Sequence, residues 1–300
     1  MDTIMAKILI TGASGLLGRA LMTSFYEYQT TGTAFKRARR PLVRLNLCDS
    51  ALTRRFIVDL QPEIVIHCAA ERRPDVSEND PDNTEKLNVG VTQEVARIVH
   101  SIGASMLFLS TDYVFDGTRP PYAPDDRTNP LNFYGKTKLL AEKTVLEVIP
   151  DSAVLRVGLL YGRVEFPEES SVTALLQDVR SQQTRYIDHW GRRYPTFVDD
   201  VAVVCRQLIQ SRLQKGPFSG IWHWCGNEGM TKYEMAKRIA ELLSVPTDHL
   251  KPDTNPPKAT PRPKDCRLDF SRLESLGIGQ RTPFTAAMRK VLGALGERQT

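Results

Sequence analysis

Lys7-Ile8-Leu9-Ile10-Thr11-Gly12-Ala13-Ser14-Gly15-Leu16-Leu17-Gly18 decides the fold. The run from Lys7 to Thr11 is short and apolar, as a strand buried on both faces must be. Three glycines follow at once with GxxGxxG spacing, and Leu16 to Tyr26 then has a helical pattern. A strand, a glycine turn and a helix N-terminus in that order form a cradle for a dinucleotide. Gly12 permits the tight turn, Gly15 lets the backbone approach a pyrophosphate, and Gly18 lets the helix pack closely on the strand.

Downstream, apolar runs alternate with helical patterns of 10–15 residues. Strands are expected at 33–35, 42–45, 63–68, 106–110 and 153–157, with helices at 50–60, 84–100 and 134–147. Six strands by residue 157 predict an α/β, doubly wound, mostly parallel Rossmann sheet with a smaller C-terminal α/β lobe. The large domain is expected over 1–162. It takes back a helix (198–211) and a strand (220–224) from the region 196–224. Residues 163–195 and 225–300 make the smaller, substrate-like or partner-facing lobe. Helices are expected there at 230–243 and 284–295. The prolines of 251–265 predict a loop. Trp222 and Trp224 flank His223 in a strand pattern, so one face is expected to pack both indoles.

Composition narrows the class. The chain has 300 residues, 41% of them hydrophobic and 25% charged, and a net charge of +5. That small excess comes with no nucleic-acid module, which excludes a nucleic-acid partner. No apolar run reaches the roughly 20 residues that span a bilayer, so no membrane partner is expected. Asp2 precedes a short strand rather than a long apolar stretch, so no signal peptide is expected. The five cysteines form no CxxC pair and the five histidines do not cluster. No metal site is expected, and reduced thiols suit a cytoplasmic or nuclear location.

An NAD binder usually carries an acid about 20 residues beyond the glycines, against the ribose hydroxyls. Here that region is Thr33-Ala34-Phe35-Lys36-Arg37. A basic side chain there favours a 2′-phosphate, so the expected cofactor is NADP, with Arg37 first and Lys36 second as the phosphate ligand. A solvated positive turn is the alternative. Tyr134-Gly135-Lys136-Thr137-Lys138 sets a phenol and an ammonium one helical turn apart. The ammonium would favour the phenolate. Such a tyrosine can pass a proton to a carbonyl as hydride arrives, and Lys138 can hold the nicotinamide ribose. Ser110-Thr111-Asp112 ends the fifth strand, where these sheets bind ligands. Thr111 is the expected third donor, with Ser110 in reserve. Glu71-Arg72-Arg73-Pro74-Asp75 carries more charge than a turn needs, which suits either a ligand-facing or partner-facing loop or a solvated one.

The glycine loop, Ser110-Thr111-Asp112-Tyr113-Val114-Phe115-Asp116-Gly117 and the Tyr134 to Lys138 motif together resemble the extended short-chain dehydrogenase/reductases, in the dTDP-4-dehydrorhamnose reductase-like branch. Within that branch, longer runs resemble the regulatory beta subunits of methionine adenosyltransferase. These are Phe35 to Arg39, His67 to Val76, Trp224 to Ala236 and Leu276 to Phe284. The resemblance implies a non-catalytic partner of the catalytic subunit that makes S-adenosylmethionine, with NADP as ligand. It further implies that Gly12, Gly15, Leu16 and Leu17 line the pyrophosphate, with Gly18 beside them, and that Arg37 meets the 2′-phosphate. Asn46 and Leu47 would sit near the adenine. Ala69, Ala70, Tyr134, Lys138 and Leu159 would follow along the cofactor.

Two departures set the chain apart from the sugar reductases. Their loop after the fourth strand is small and polar where this one has Glu71-Arg72-Arg73-Pro74. They also often place a tryptophan near the position of Leu159. The beta subunits continue past the equivalent of Arg298-Gln299-Thr300 into an apolar docking tail, so docking is expected to use another surface here. An NADPH-dependent carbonyl or sugar-nucleotide reductase stands as the second reading, because Thr111, Tyr134 and Lys138 are all in place. A cofactor-sensing scaffold with another partner is the third.

Overall fold

Ile8, Leu9 and Ile10 have almost no solvent exposure, so neighbouring strand residues bury opposite faces of one sheet. The structure is a computed structural model that describes residues 6–216 and 218–296; Asp2 and Arg298-Gln299-Thr300 lie outside the described residues. The first half alternates β1 (Lys7–Thr11), α1 (Leu16–Ser24), β2 (Gln29–Ala34), β3 (Val43–Arg44), α2 (Ser50–Leu60) and β4 (Ile64–His67). It continues with α3 (Pro74–Asn79), α4 (Pro81–Glu85), a π-helical turn (Lys86–Val91), α5 (Thr92–Ser101), β5 (Ser105–Thr111), α6 (Phe133–Val148) and β6 (Ala153–Val157). The second half holds β7 (Leu160–Tyr161), α7 (Leu175–Val179), β8 (Arg185–Asp188), β9 (Thr196–Phe197), α8 (Val198–Leu213) and β10 (Gly220–Trp224). Then come α9 (Lys232–Leu243), β11 (Leu250–Asp253), α10 (Ser271–Glu274) and α11 (Phe284–Ala294).

The main sheet has seven strands in the order β3-β2-β1-β4-β5-β6-β10, and every pairing is parallel. This is the doubly wound α/β fold expected. The strand order reverses direction between β1 and β4, which makes their C-terminal ends the crevice where such sheets bind ligands. α1 and α8 cover one face: Leu17, Leu21, Val201 and Leu208 pack with Ile8, Ile10, Ile66, Leu107 and Leu155. α2, α5 and α6 cover the other, where Ile57, Val95, Val99, Ala141 and Val145 meet Leu9, Val65, Met106, Phe108 and Val154. Trp222 and Trp224 share the first face, as expected. A separate core joins α7, α9 and α11 through Leu176, Val179, Met235, Ile239, Met288 and Val291.

Several element limits differ from the sequence expectation, each for a local reason. β2 starts at Gln29, four residues before the expected start, because its first half is polar and only half-buried near the sheet edge. The helix expected over 84–100 opens earlier, at Pro81, and widens into the π-helical turn before α5. α9 starts at Lys232, because Thr231 accepts from the Glu234 N–H while Glu234 caps Thr231 in return. The proline segment is not all loop. Pro252 lies in β11, paired with β8 in a two-stranded sheet, where an edge strand tolerates a missing N–H.

Beneath β5 and β6 lies a buried ion pair. Arg156 donates to the Glu142 carboxylate from Nε at 3.0 Å and from Nη2 at 2.7 Å, and both side chains are 2% exposed. Ser110 also donates to Glu142, and Arg156 Nη1 reaches the Pro124 carbonyl at 3.1 Å. Ser110 is thereby committed to this pair rather than standing free as a reserve donor. Removing one partner strands the other charge. Glu142→Leu is expected to destabilise the fold by about 3–5 kcal/mol, and adding Arg156→Met to restore much of the loss. Urea unfolding of both variants checks this; a double variant no better than the single one would refute it.

Candidate dinucleotide site

The glycine loop lies at the switch point. Gly12 has φ +69°, a left-handed conformation that suits glycine. A Cβ there would lie 2.8 Å from the Ala69 nitrogen, so the loop after β1 and the loop after β4 touch. A Cβ at Gly18 would lie 2.3 Å from the Gly12 oxygen, so only glycine lets α1 begin this close to β1. A Cβ at Gly15 would meet only the Gly12 oxygen, at 3.1 Å, and the outer side of the loop stays open. Leu16 and Leu17 turn their side chains into the core, so only their backbone faces the crevice. This cradle of free N–H groups at a helix N-terminus fits a pyrophosphate.

Lys36 and Arg37 follow the end of β2 and are exposed. Arg37 Nη1 is bound by Glu165 at 2.7 Å and by Glu169 at 2.8 Å. Asn46 and Leu47 follow β3 and are half-buried, as are Ala69 and Ala70 after β4. Asn46 Oδ1 accepts from the Cys48 N–H at 3.1 Å, and Leu47 packs on the α2–α5 face of the core. The Leu159 side chain packs instead against the smaller lobe, and its carbonyl accepts the Thr196 N–H at 2.7 Å.

At the end of β5, Thr111 Oγ1 accepts the Tyr113 N–H at 3.2 Å and donates to Asp112 at 3.2 Å. Asn132 caps α6 by accepting the Gly135 N–H at 2.9 Å. A Cβ at Gly135 would lie 2.3 Å from the Tyr113 carbonyl, so the glycine after Tyr134 lets the helix start press on that turn. One turn on, Lys138 Nζ donates to the Leu109 carbonyl at 2.7 Å and lies 3.9 Å from the Phe108 ring centroid. Burial depresses Lys138 to about 7, with Glu142 and Cys68 opposing. Burial drives the Tyr134 phenol up, with Thr111 opposing, which favours the protonated phenol over the expected phenolate. Burial also raises Asp112 to about 7, with Arg193 and Thr111 opposing.

The π-helical turn supplies a residue that the sequence reading missed. Asn88 is buried and grips Glu71 on both sides: it accepts the Glu71 N–H at 2.8 Å and donates to the Glu71 carbonyl at 3.0 Å. Such turns occur often at functional sites, and here it holds the loop after β4. The Gly90 that interrupts the helical pattern is the one sequence signal for it. Glu71 then pairs with Arg73 at 2.7 Å, Arg72 turns to the Glu169 carbonyl, and Asp75 pairs with Arg262 at 2.6 Å. Arg19 and Glu169 were also missed, because nothing local marks either one. Among the described residues no group of His, Cys, Asp or Glu could hold a metal ion, and no helix is long and apolar enough to cross a membrane.

Residues 6–296 match the family described as RmlD substrate binding domain. The chain belongs to that family. Its curated relatives include the mouse protein named methionine adenosyltransferase 2 subunit beta, 50% identical over 290 residues that cover 95% of this chain and 87% of the relative. The zebrafish protein of that name is 43% identical, covering 95% and 90%. A dTDP-4-dehydrorhamnose reductase of Streptomyces griseus is 31% identical, covering 96% and 93%. Among solved structures, a dTDP-4-dehydrorhamnose reductase from Clostridium acetobutylicum superposes with a TM-score of 0.85 at 26% identity, covering 97% of this chain and 99% of that one. The resemblance to the beta subunits within the reductase-like branch therefore holds.

Lys138 gives this site a pH signature. The unfolded chain keeps the lysine proton to about 10.5, the folded chain only to about 7. Between these values the unfolded state binds more protons, so this group makes stability rise with pH. Lys138→Met is expected to be more stable than the wild type near pH 7.5, with the advantage shrinking towards pH 10. Thermal melts across that range check it; an advantage that does not change with pH would refute it.

Proposed function

We propose that this chain is a non-catalytic regulatory subunit of methionine adenosyltransferase that binds NADP and modulates the catalytic subunit. The observation that carries the reading is 50% identity, across 95% of the chain, to a protein named as that subunit. NADPH supplies a hydride when bound to a reductase; a regulatory subunit needs only the binding. Backbone N–H groups at the start of α1 take the pyrophosphate beside Gly12, Gly15 and Gly18. Lys36 and Arg37 take the 2′-phosphate, and Asn46 and Leu47 border the adenine. Ala69, Ala70, Tyr134, Lys138 and Leu159 follow the cofactor to its nicotinamide end. The protonated Tyr134 suits this role, since a phenol donates a hydrogen bond to a ribose hydroxyl without changing charge.

The cationic end of β2 supports NADP over NAD. Arg37→Ala is expected to weaken NADP about tenfold and NAD less than twofold, since a charge-assisted bond on a half-exposed guanidinium is worth of order 1.4 kcal/mol. Calorimetric titration of both dinucleotides decides; equal losses would remove Arg37 from the 2′-phosphate.

Modulation of a partner requires coupling, and coupling is reciprocal. If NADP tightens binding to a methionine adenosyltransferase catalytic subunit, that subunit must tighten NADP by the same factor. Titrating each ligand with and without the other tests this; affinities that ignore each other would sink the regulatory mechanism. The presence together of Thr111, Tyr134 and Lys138 favours a second reading as an NADPH-dependent carbonyl or sugar-nucleotide reductase. Under that reading Tyr134→Phe abolishes turnover in a carbonyl screen while dinucleotide binding persists.

A further inference from the structure

The segment 162–170 runs out of β7 and crosses the mouth of the crevice. It carries two carboxylates of different standing. Glu169 is 1% exposed and collects four donors: Arg19 Nη1 at 2.9 Å, Arg19 Nη2 at 2.6 Å, Arg37 Nη1 at 2.8 Å and the Glu165 N–H at 3.0 Å. Burial would raise its carboxyl, but these donors hold it at about 2. Glu165 is 41% exposed, and among the described residues its carboxylate has one close partner, Arg37 Nη1 at 2.7 Å, with Arg19 at 3.9 Å. Glu169 is thus fixed and Glu165 is easily released.

The strap reaches three loops of the site. Arg19 joins it to the glycine loop, donating to Ser14 O at 2.8 Å and to Arg163 O at 3.0 Å. Arg37 joins it to the loop after β2. Arg72, donating to the Glu169 carbonyl, joins it to the loop after β4. Both carboxylates use the same nitrogen of Arg37. Among the described residues, Arg37 Nε and Nη2 meet no protein acceptor. They are the donors left for an incoming anion. A dianionic phosphate set on that edge would stand close to Glu165, and like charges at such range repel.

We propose that Glu165 is a built-in competitor for the 2′-phosphate: it holds Arg37 until a 2′-phosphorylated adenosine displaces it, while Glu169 keeps the guanidinium aimed. This rests on the NADP reading above and adds a consequence to it. Occupancy by NADP frees Glu165 and loosens the strap from the β2 loop. NAD, lacking the phosphate, leaves the pair closed. The strap thereby converts the difference between two dinucleotides into a difference in the surface beside the smaller lobe.

The test is calorimetry on the full chain with NADP and with NAD, using the wild type, Glu165→Gln, Arg37→Ala and the double variant. Glu165 is a surface side chain, and its amide is expected to fold normally. Glu165→Gln is expected to tighten NADP about two- to fivefold, the scale of an exposed ion pair, and to leave NAD unchanged. In the Arg37→Ala background the gain is expected to vanish. Equal tightening of both dinucleotides would mean only a general relief of negative charge and would overturn the proposal. So would an NADP preference that depends on Arg37 but is indifferent to Glu165→Gln, with the NADP reading left standing. No preference for NADP in the wild type, together with indifference to Arg37→Ala, would sink the NADP reading and this proposal with it.

Discussion

The carbonyl oxygen of Gly12 is the constraint on which the crevice depends. It accepts the Gly15 N–H at 2.9 Å, and it lies where a methyl at residue 18 would have to go. That contact brings the first turn of α1 down onto the end of β1. It aims the unpaired N–H groups of the helix across the switch point between β1 and β4. Ala69 then closes against Gly12, so the loop after β4 takes its place from the same contact. The crevice is therefore a product of backbone sterics before any functional side chain enters it. Ordinary side chains at Gly12 or Gly18 would force apart the loops at the ends of β1 and β4.

Charge is then layered on that backbone frame in two ways. Deep in the sheet, Glu142 and Arg156 are matched and sealed, with His223 Nε2 3.3 Å from Arg156 Nη1. The His223 imidazole is kept neutral by burial first and by the Arg156 charge second. Neither Glu142 nor Arg156 can be removed alone without leaving an unpaired charge, so the pair serves to fix α6 against β5 and β6. At the mouth of the crevice the matching is incomplete. Arg19, Arg37 and Arg72 meet Glu165 and Glu169, and one carboxylate remains half in water. A site that must admit an anion needs this second kind of arrangement, because fully satisfied cations have no donors left for a ligand.

This division also explains what the sequence could and could not disclose. The glycine loop, the basic end of β2 and the Tyr134 to Lys138 pair were legible because each is a local pattern. α2 was placed correctly to the residue, since Asp49 caps its start and Gln61 ends it in the left-handed region. β6 and β10 were placed as well, since apolar runs bounded by polar turns mark both. Glu165 and Glu169 lie 128 and 132 residues from Arg37, and no period or spacing links them. Apart from Gly90 the π-helical turn keeps roughly the apolar rhythm of a helix, so its extra width, and with it the inward position of Asn88, has little sequence signal. β11 was lost to the rule that prolines break strands, which fails at an edge.

The retained reductase-like residues can be weighed by what they cost the fold. Lys138 is buried, and its ammonium is disfavoured there, while an apolar side chain of the same length would fill the space without that penalty. Tyr134 is likewise held away from its charged form. Sites that give up stability in this way are usually sites with a ligand to hold. Holding a ligand would account for both residues without turnover, since neither burial nor the Lys138 bond to the Leu109 carbonyl requires a hydride to move. What separates the readings is the opposite wall. A reductase of small carbonyls needs room beside Tyr134 for its substrate. Here Tyr113 lies edge-on to the Tyr134 ring at 6.1 Å, and the Arg193 guanidinium lies 6.0 Å from the Tyr113 ring. With Arg72 turned to the Glu169 carbonyl, Tyr134 is bordered by aromatic and charged groups.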